Sequence, residues 1–244
     1  MQLRFKSWLT CEQGAFRYQN EDSAYMEDNL SRWTNRDAQG PGFWAVFDGI
    51  GGNAGGEVAA EESKIAIKCV LEKLLPKIGK VWTVPDAITA AVQAAVASVQ
   101  SFRHQYHNLG TTIALLVWCD GKLFRAHLGD SRIYRLRGAT LTQLTKDHWL
   151  GQGLSKCIGG SDPDKRDPYD DHDVPEIAEI DVQAGDRFLL TTDGVNLPNE
   201  QLCQLLAAAA DPEEATDTIV QASLLNGSKD NVTAVAVFVS AATQ

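Results

Sequence analysis

Five aspartates sit in a setting that could do chemistry. Asp22, Asp48, Asp130, Asp193 and Asp230 each fall where an apolar strand ends or the chain turns sharply, instead of on a solvated helix face. Three of them lie in or beside glycine, in "FDGIGG", "LGDSR" and "TTDGV". Carboxylates delivered by strand ends can converge on one point, and converging carboxylates cannot all ionise unless cations neutralise them. An all-oxygen cluster selects hard cations such as Mg²⁺ or Mn²⁺. Each acid alone also fits turn chemistry, because Asp before Gly is a frequent turn signal. Asp120-Gly121 is such a case and stays outside the candidate site.

A competing template covers the same ground. Gly49-Ile50-Gly51-Gly52-Asn53-Ala54 fits G-x-G-x-x-A, the dinucleotide fingerprint of a strand-turn-helix unit. The elements that follow reject it. Residues 57–78 read as a helix whose Ile67, Val70, Leu71, Leu74, Leu75 and Ile78 share a face opposite Glu61, Glu62, Lys64, Lys68 and Glu72. A second helix, residues 85–107, follows with no strand between, opened by Pro85-Asp86. A dinucleotide fold needs another strand and a ribose-binding acid at that point.

The elements that must position the acids are strands in meanders and helices in pairs. Residues 112–118, 122–128, 132–136 and 140–144 read as strands, with Asp120-Gly121 as a tight hairpin turn and Arg137-Gly138-Ala139 as a second connection. Residues 187–191 and 232–239 add strands, and residues 200–210 and 213–225 read as two helices joined at Asp211-Pro212. "TTIALLVW" and "VTAVAVFV" are apolar on both faces, so helices must cover the outer faces of stacked sheets. The expected fold class is α+β, a four-layer α-β-β-α sandwich of two antiparallel sheets flanked by paired helices. A single domain over residues 1–244 is expected, with residues 161–179, "SDPDKRDPYDDHDVPEIAE", as an exposed acidic loop.

Composition narrows the function classes. The chain has 244 residues, 44% hydrophobic and 22% charged, which is ordinary globular usage. A net charge of -10 argues against a nucleic-acid partner, since phosphate contacts rely on Lys and Arg. It also weighs against a two-metal nuclease, which the carboxylates alone would allow. No apolar segment has the length of a membrane span, and "MQLRFKSWLT" lacks a signal-peptide core, so no membrane partner and a cytoplasmic location are expected. The five cysteines are scattered without C-x-x-C and fit reduced thiols.

The acids fall into longer strings. "RYQNED", "FDGIGGNAGGE", "GTT", "HLGDSRIYRL", "LTKDH", "LLTTDGV" and "SKDNVTAVAV" extend in this order over almost the whole chain. Together they resemble the PPM family, the metal-dependent type 2C protein serine/threonine phosphatases, in a small bacterial-type single-domain form. The resemblance implies that Asp48 bridges two Mn²⁺ or Mg²⁺ ions. Glu21, through water, and the Gly49 carbonyl would serve one ion, and Asp193 and Asp230 would complete the other. Asp22 would orient metal-bound water, and the planar fork of Arg17 would grip the substrate phosphate. Asp130 with Asp193 would offer a third, weaker metal site. The implied reaction is direct hydrolysis of phosphoserine or phosphothreonine by a hydroxide bridging the ions, without a phosphoenzyme intermediate. The implied partners are Ser/Thr-phosphorylated proteins, targets of a cognate kinase, met by a monomer.

The sequence departs from this pattern in two places. Many members carry His where Ile50 stands, so a side-chain acid for the leaving group is missing and metal-bound water is the expected proton source. After "LTKDH" the family's helical flap is reduced to residues 149–154, "WLGQGL". The acidic loop is then a candidate substrate wall that favours basic flanks around the phosphoresidue. These departures leave one alternative, a catalytically impaired relative that binds phosphoproteins or a regulatory partner. His127 and His148 read as structural, and His104 and His107 as residues favourably placed at a helix's negative end.

Overall fold

A computed structural model describes residues 2–30, 40–50, 55–106, 109–151, 153–160 and 171–242. The strands are β1 Leu3–Glu12, β2 Asp22–Glu27, β3 Gly42–Ile50, β4 Gly110–Thr111, β5 Ile113–Cys119, β6 Lys122–Leu128, β7 Arg132–Arg137, β8 Thr140–Gln143, β9 Trp149–Leu150, β10 Gly153–Leu154, β11 Ile158–Gly159, β12 Glu176–Ile180, β13 Arg187–Thr191 and β14 Val232–Ala241. The helices are α1 Gly56–Leu74, α2 Val84–Ser101, α3 Asn199–Ala208 and α4 Pro212–Leu225. One sheet runs β1-β14-β13-β7-β8. The other runs β11-β4-β3-β5-β6-β12, with β2 on the free side of β3. Every ladder between these strands is antiparallel.

Period-two alternation builds the layers. All seven residues of β5 are buried. Ile113, Leu115, Val117 and Cys119 face α1 and α2, while Ala114, Leu116 and Trp118 face the other sheet. β14 divides the same way: Val235, Val237 and Val239 join the inter-sheet core, and Val232, Ala234 and Ala236 pack under α3 and α4. A strand apolar on both faces thus has a helix layer on one and a sheet on the other. The α-β-β-α sandwich follows.

Local chemistry sets the ends of the elements. Asp120 and Gly121 take φ of 52° and 75°, as a two-residue hairpin turn between β5 and β6 requires. Thr83 and Asp86 form a reciprocal capping box that starts α2. α1 stops at Leu74 and passes into one 3-10 turn, Leu75–Lys77, because Pro76 has no N–H to continue the ladder. α2 ends at Ser101, six residues short of the expected limit. His104 is exposed in the turn beyond it, and His107 lies outside the described residues.

Two expectations need correction. The last residues of the expected acidic loop, 176–179, are not loop: with Ile180 they form β12, paired with β6 from Glu176↔His127 to Ile180↔Leu123. The acidic composition hid a strand whose Ile177 packs toward the helices and whose Ile180 packs between the sheets. Residues 161–170 lie outside the described residues. β1 and β2 lie outside the expected strands; in β1, Lys6, Ser7 and Thr10 dilute the apolar alternation. In the place expected for the shortened flap, β9 and β10 form a two-residue hairpin with Trp149 opposite Leu154. Among the described residues, no helix is long and apolar enough to cross a membrane, and all five cysteines are free.

Candidate functional site

Both sheets end at one place. Asp22 opens β2 and lies directly opposite Asp48 near the end of β3. The main chain at Asp48 is held on both sides: its N–H donates to Thr112 Oγ1 at 3.1 Å, and its carbonyl accepts from Thr112 N at 2.9 Å and Thr111 Oγ1 at 2.9 Å. Gly49 donates to the Glu21 carbonyl at 3.1 Å. A Cβ on Gly49 would lie 2.4 Å from Gly56 and 2.6 Å from the Glu21 carbonyl. Only glycine lets Glu21, the end of β3 and the start of α1 close on one another. Residues 51–54 of the glycine loop lie outside the described residues.

The other sheet brings Asp193 just past β13 and Asp230 just before β14. The sheets are stitched together at Asp22, whose Oδ2 accepts from Thr192 Oγ1 at 2.9 Å and Thr233 Oγ1 at 2.6 Å. A Cβ on Gly194 would fall 1.9 Å from the Asn231 carbonyl, so the Asp193 turn also needs glycine. Asn231, 2% exposed, clamps the turn that carries Arg17. Its Nδ2 donates to the carbonyls of Gln13 at 2.8 Å and Gln19 at 3.1 Å, and its Oδ1 accepts from the Glu21 N–H at 2.9 Å. Arg17 then reaches Asp230 Oδ2 at 2.5 Å and lies 3.7 Å from Glu21 Oε2.

Electrostatics record the crowding. Burial, then Asp193 and Asp230, push Asp22 up to about 7 against the opposing Thr233 and Thr192 bonds. Burial and the four neighbours Asp22, Asp193, Asp130 and Asp230 push Asp48 well up. Asp193 is raised by burial and Asp230, and it shares a hydrogen bond with Asp48. Asp130 rises to about 6, by burial and Asp193, and Glu21 rises by burial despite Arg17. The cluster opens to solvent at the exposed Asp193 and closes at Asp130, 6% exposed. Without cations, burial and mutual repulsion disfavour ionising these carboxyls together; with hard divalent cations they can ionise together. The donor set fits Mn²⁺ or Mg²⁺.

The site residues expected from the sequence therefore meet in space: Arg17, Glu21, Asp22, Asp48, Gly49, Asp193 and Asp230 form one cluster, with Asp130 at its inner edge. Ile50 ends β3 opposite Gly110, half-buried and without a titratable group. A cavity of about 800 Å³, lined among others by Leu3, Trp118, Asp120 and Val182, lies at the opposite end of the strands and touches none of these acids. Thr112, Thr192, Thr233 and Asn231 were not singled out from the sequence. Their signal was there: hydroxyls and an amide inside apolar strands must find partners when buried.

A family model described as protein phosphatase 2C matches residues 17–226. The chain is 31% identical over 237 residues to the serine/threonine protein phosphatase PstP of Mycobacterium tuberculosis, an alignment covering 92% of this chain and 43% of that protein. It thus spans about two fifths of that relative's length. It is 25% identical over 232 residues to the protein phosphatase PhpP of Streptococcus pneumoniae, covering 85% of this chain and 89% of that one. Among solved structures, the catalytic domain of PstP in complex with two manganese ions superposes with a TM-score of 0.76 at 26% identity, covering 98% of this chain and 100% of that one.

Proposed function

The chain belongs to the protein phosphatase 2C family, and from that footing we propose that it hydrolyses phosphoserine and phosphothreonine on proteins with two Mn²⁺ or Mg²⁺ ions and no phosphoenzyme. The observation that carries this reading is the meeting of Asp22, Asp48 and Asp193 from two sheets, each with its pKa raised by burial and by neighbouring aspartates. Asp48, Asp193, Asp230, the Gly49 carbonyl and, through water, Glu21 would hold the ions, with Asp130 at a third, weaker site. Such ions, when bound, acidify water and neutralise charge on the phosphoryl oxygens.

This chain's own residues do the rest. Asp22 spends Oδ2 on two threonine hydroxyls, which leaves Oδ1 to orient water at the attacking position. Arg17 is held at the mouth by the Asn231 clamp, and its fork suits a bidentate grip on phosphate. Ile50 can neither give nor take a proton, so the leaving alkoxide takes its proton from water. Among the described residues the flap is no larger than the β9–β10 hairpin, with Trp149 and Leu150 exposed, which would leave the site open to protein substrates. Substrates would be targets of a cognate kinase, met by a cytoplasmic monomer. The charge of -10 weighs against nucleic acid or an anionic membrane surface as partner.

The test is phosphate release from a phosphothreonine peptide in Mn²⁺, with and without chelator, for the wild-type chain and Asp48→Asn. Release that stops on chelation and on substitution is the expected result. Release that survives both removes the metal-dependent reading. Mn²⁺ and phosphopeptide binding without turnover selects the alternative, a relative that binds phosphoproteins without hydrolysing them.

A further inference from the structure

His148 and Glu176 stand outside the acids assigned above, yet both are tied to the turn that carries Asp130. The Gly129 N–H donates to His148 Nδ1 at 3.1 Å, and the His148 N–H donates back to the Gly129 carbonyl at 3.0 Å. Accepting at Nδ1 leaves the neutral ring its proton on Nε2, which lies 3.1 Å from Glu176 Oε1. The ring is 8% exposed and stacks on the buried His127, with centroids 4.4 Å apart and planes at 11°. Gly129 has φ of +99°, and a Cβ there would lie 2.6 Å from Thr112 Cγ2. The turn is pressed on Thr112 on one side and hooked by His148 on the other. Asp130 follows immediately.

His127, His148 and Glu176 also bring one ligand atom each within 4.8 Å of one another, which raises the alternative of another metal site. The ring geometry speaks against it. In near-parallel stacked imidazoles the nitrogen lone pairs run in separate planes and do not converge on one ion. Every ring nitrogen is also engaged, those of His127 by Arg125 Nη1 at 3.2 Å and the Lys146 carbonyl at 3.0 Å. Hydrogen bonds account for the cluster without an ion.

We propose that His148 is a positioning residue for the phosphatase reaction: its Nδ1 holds the Gly129 amide and so sets where Asp130 presents its carboxylate, while Glu176 fixes the ring's tautomer and angle. This rests on the reading of Asp130 as a ligand of the weaker ion site. Glu176 opens β12, so that strand reaches the Asp130 turn through two hydrogen bonds.

Two near-isosteric substitutions separate the arms. His148→Asn keeps an acceptor oxygen where Nδ1 stood and gives up Glu176. His148→Gln keeps a donor nitrogen where Nε2 stood and withdraws the acceptor from Gly129. The readouts are Mn²⁺ titration followed by electron paramagnetic resonance and, without any ion, hydrogen exchange of the Gly129 amide. His148→Gln is expected to weaken the weaker class of Mn²⁺ sites roughly 10- to 100-fold and to speed Gly129 exchange, while His148→Asn stays near wild type in both. Two variants that both match wild type, or that are impaired alike, overturn the proposal. A wild-type chain that binds no Mn²⁺ overturns the metal-dependent reading instead, and the Gly129 comparison then decides the His148 hook alone.

Discussion

Replacing Asp22 by Asn should make the metal-free protein more stable while impairing its chemistry. Asp22 accepts two threonine hydroxyls through one oxygen, and an asparagine carbonyl can take both. What the amide removes is the charge. Burial and two neighbouring aspartates lift this carboxyl from its ordinary 3.8 to about 7. Between those values the folded chain keeps a proton that the unfolded chain has released, so stability falls as pH rises from about 4 to 7. A displacement of that size is worth ~4 kcal/mol by pH 8. The new amide N–H₂ needs a partner and returns about 1 kcal/mol. Asp22→Asn is therefore expected to be ~3 kcal/mol more stable than wild type at pH 8 in EDTA, and nearly equal to it at pH 4. Urea unfolding at pH 4, 6 and 8, extrapolated linearly with unchanged slope, measures the gap. Equal stability at pH 8, or a gap undiminished at pH 4, would refute the reasoning. Adding Mn²⁺ should favour wild type again, because an ion that binds only the folded state stabilises it by mass action.

Three further outcomes are expected. Arg17→Lys keeps the charge and loses the fork, so KM for a phosphothreonine peptide should rise roughly tenfold, the worth of one charge-assisted hydrogen bond; an unchanged KM would remove Arg17 from phosphate binding. Gly194→Ala puts a methyl group 1.9 Å from the Asn231 carbonyl, and urea unfolding should show a loss of about 1–3 kcal/mol together with weaker Mn²⁺ binding. Burial lowers His127 from 6.5 to about 4, so the unfolded chain takes up a proton that the folded one refuses. That stability is present above pH 6.5 and is lost as pH falls toward 4, by about 3 kcal/mol. His127→Gln should flatten this acid arm, which runs opposite in sign to that of Asp22; an unaltered pH–stability curve would count against a buried neutral imidazole.

Much of the fold was legible because it is local. β6 and β13 fell on their expected residues, and the helices at 199–208 and 212–225 lay within two residues of expectation. β12 was not legible, since "EIAEI" sits in an acidic run and becomes a strand only where β6 offers an open edge. β1 gains its identity from ten residues of pairing with β14, the far end of the chain. Among the site residues, the acids and Arg17 were legible as motif. Asn231, Thr192, Thr233 and His148 were not, because their roles consist in what they touch.

By itself the sequence determined which residue types stand at strand ends, where Asp-Gly turns fall, and that two strands must be covered on both faces. Periodicity and turn chemistry act over a few residues, so these can be read along the chain. Only the tertiary structure decided that Asp22 would meet Thr233, 211 positions away, that glycine at 49 and 194 is forced by neighbouring backbone, and that burial among other aspartates would lift Asp22 to about 7. A pKa belongs to a carboxyl's surroundings, and here those surroundings come from two sheets that the sequence keeps far apart.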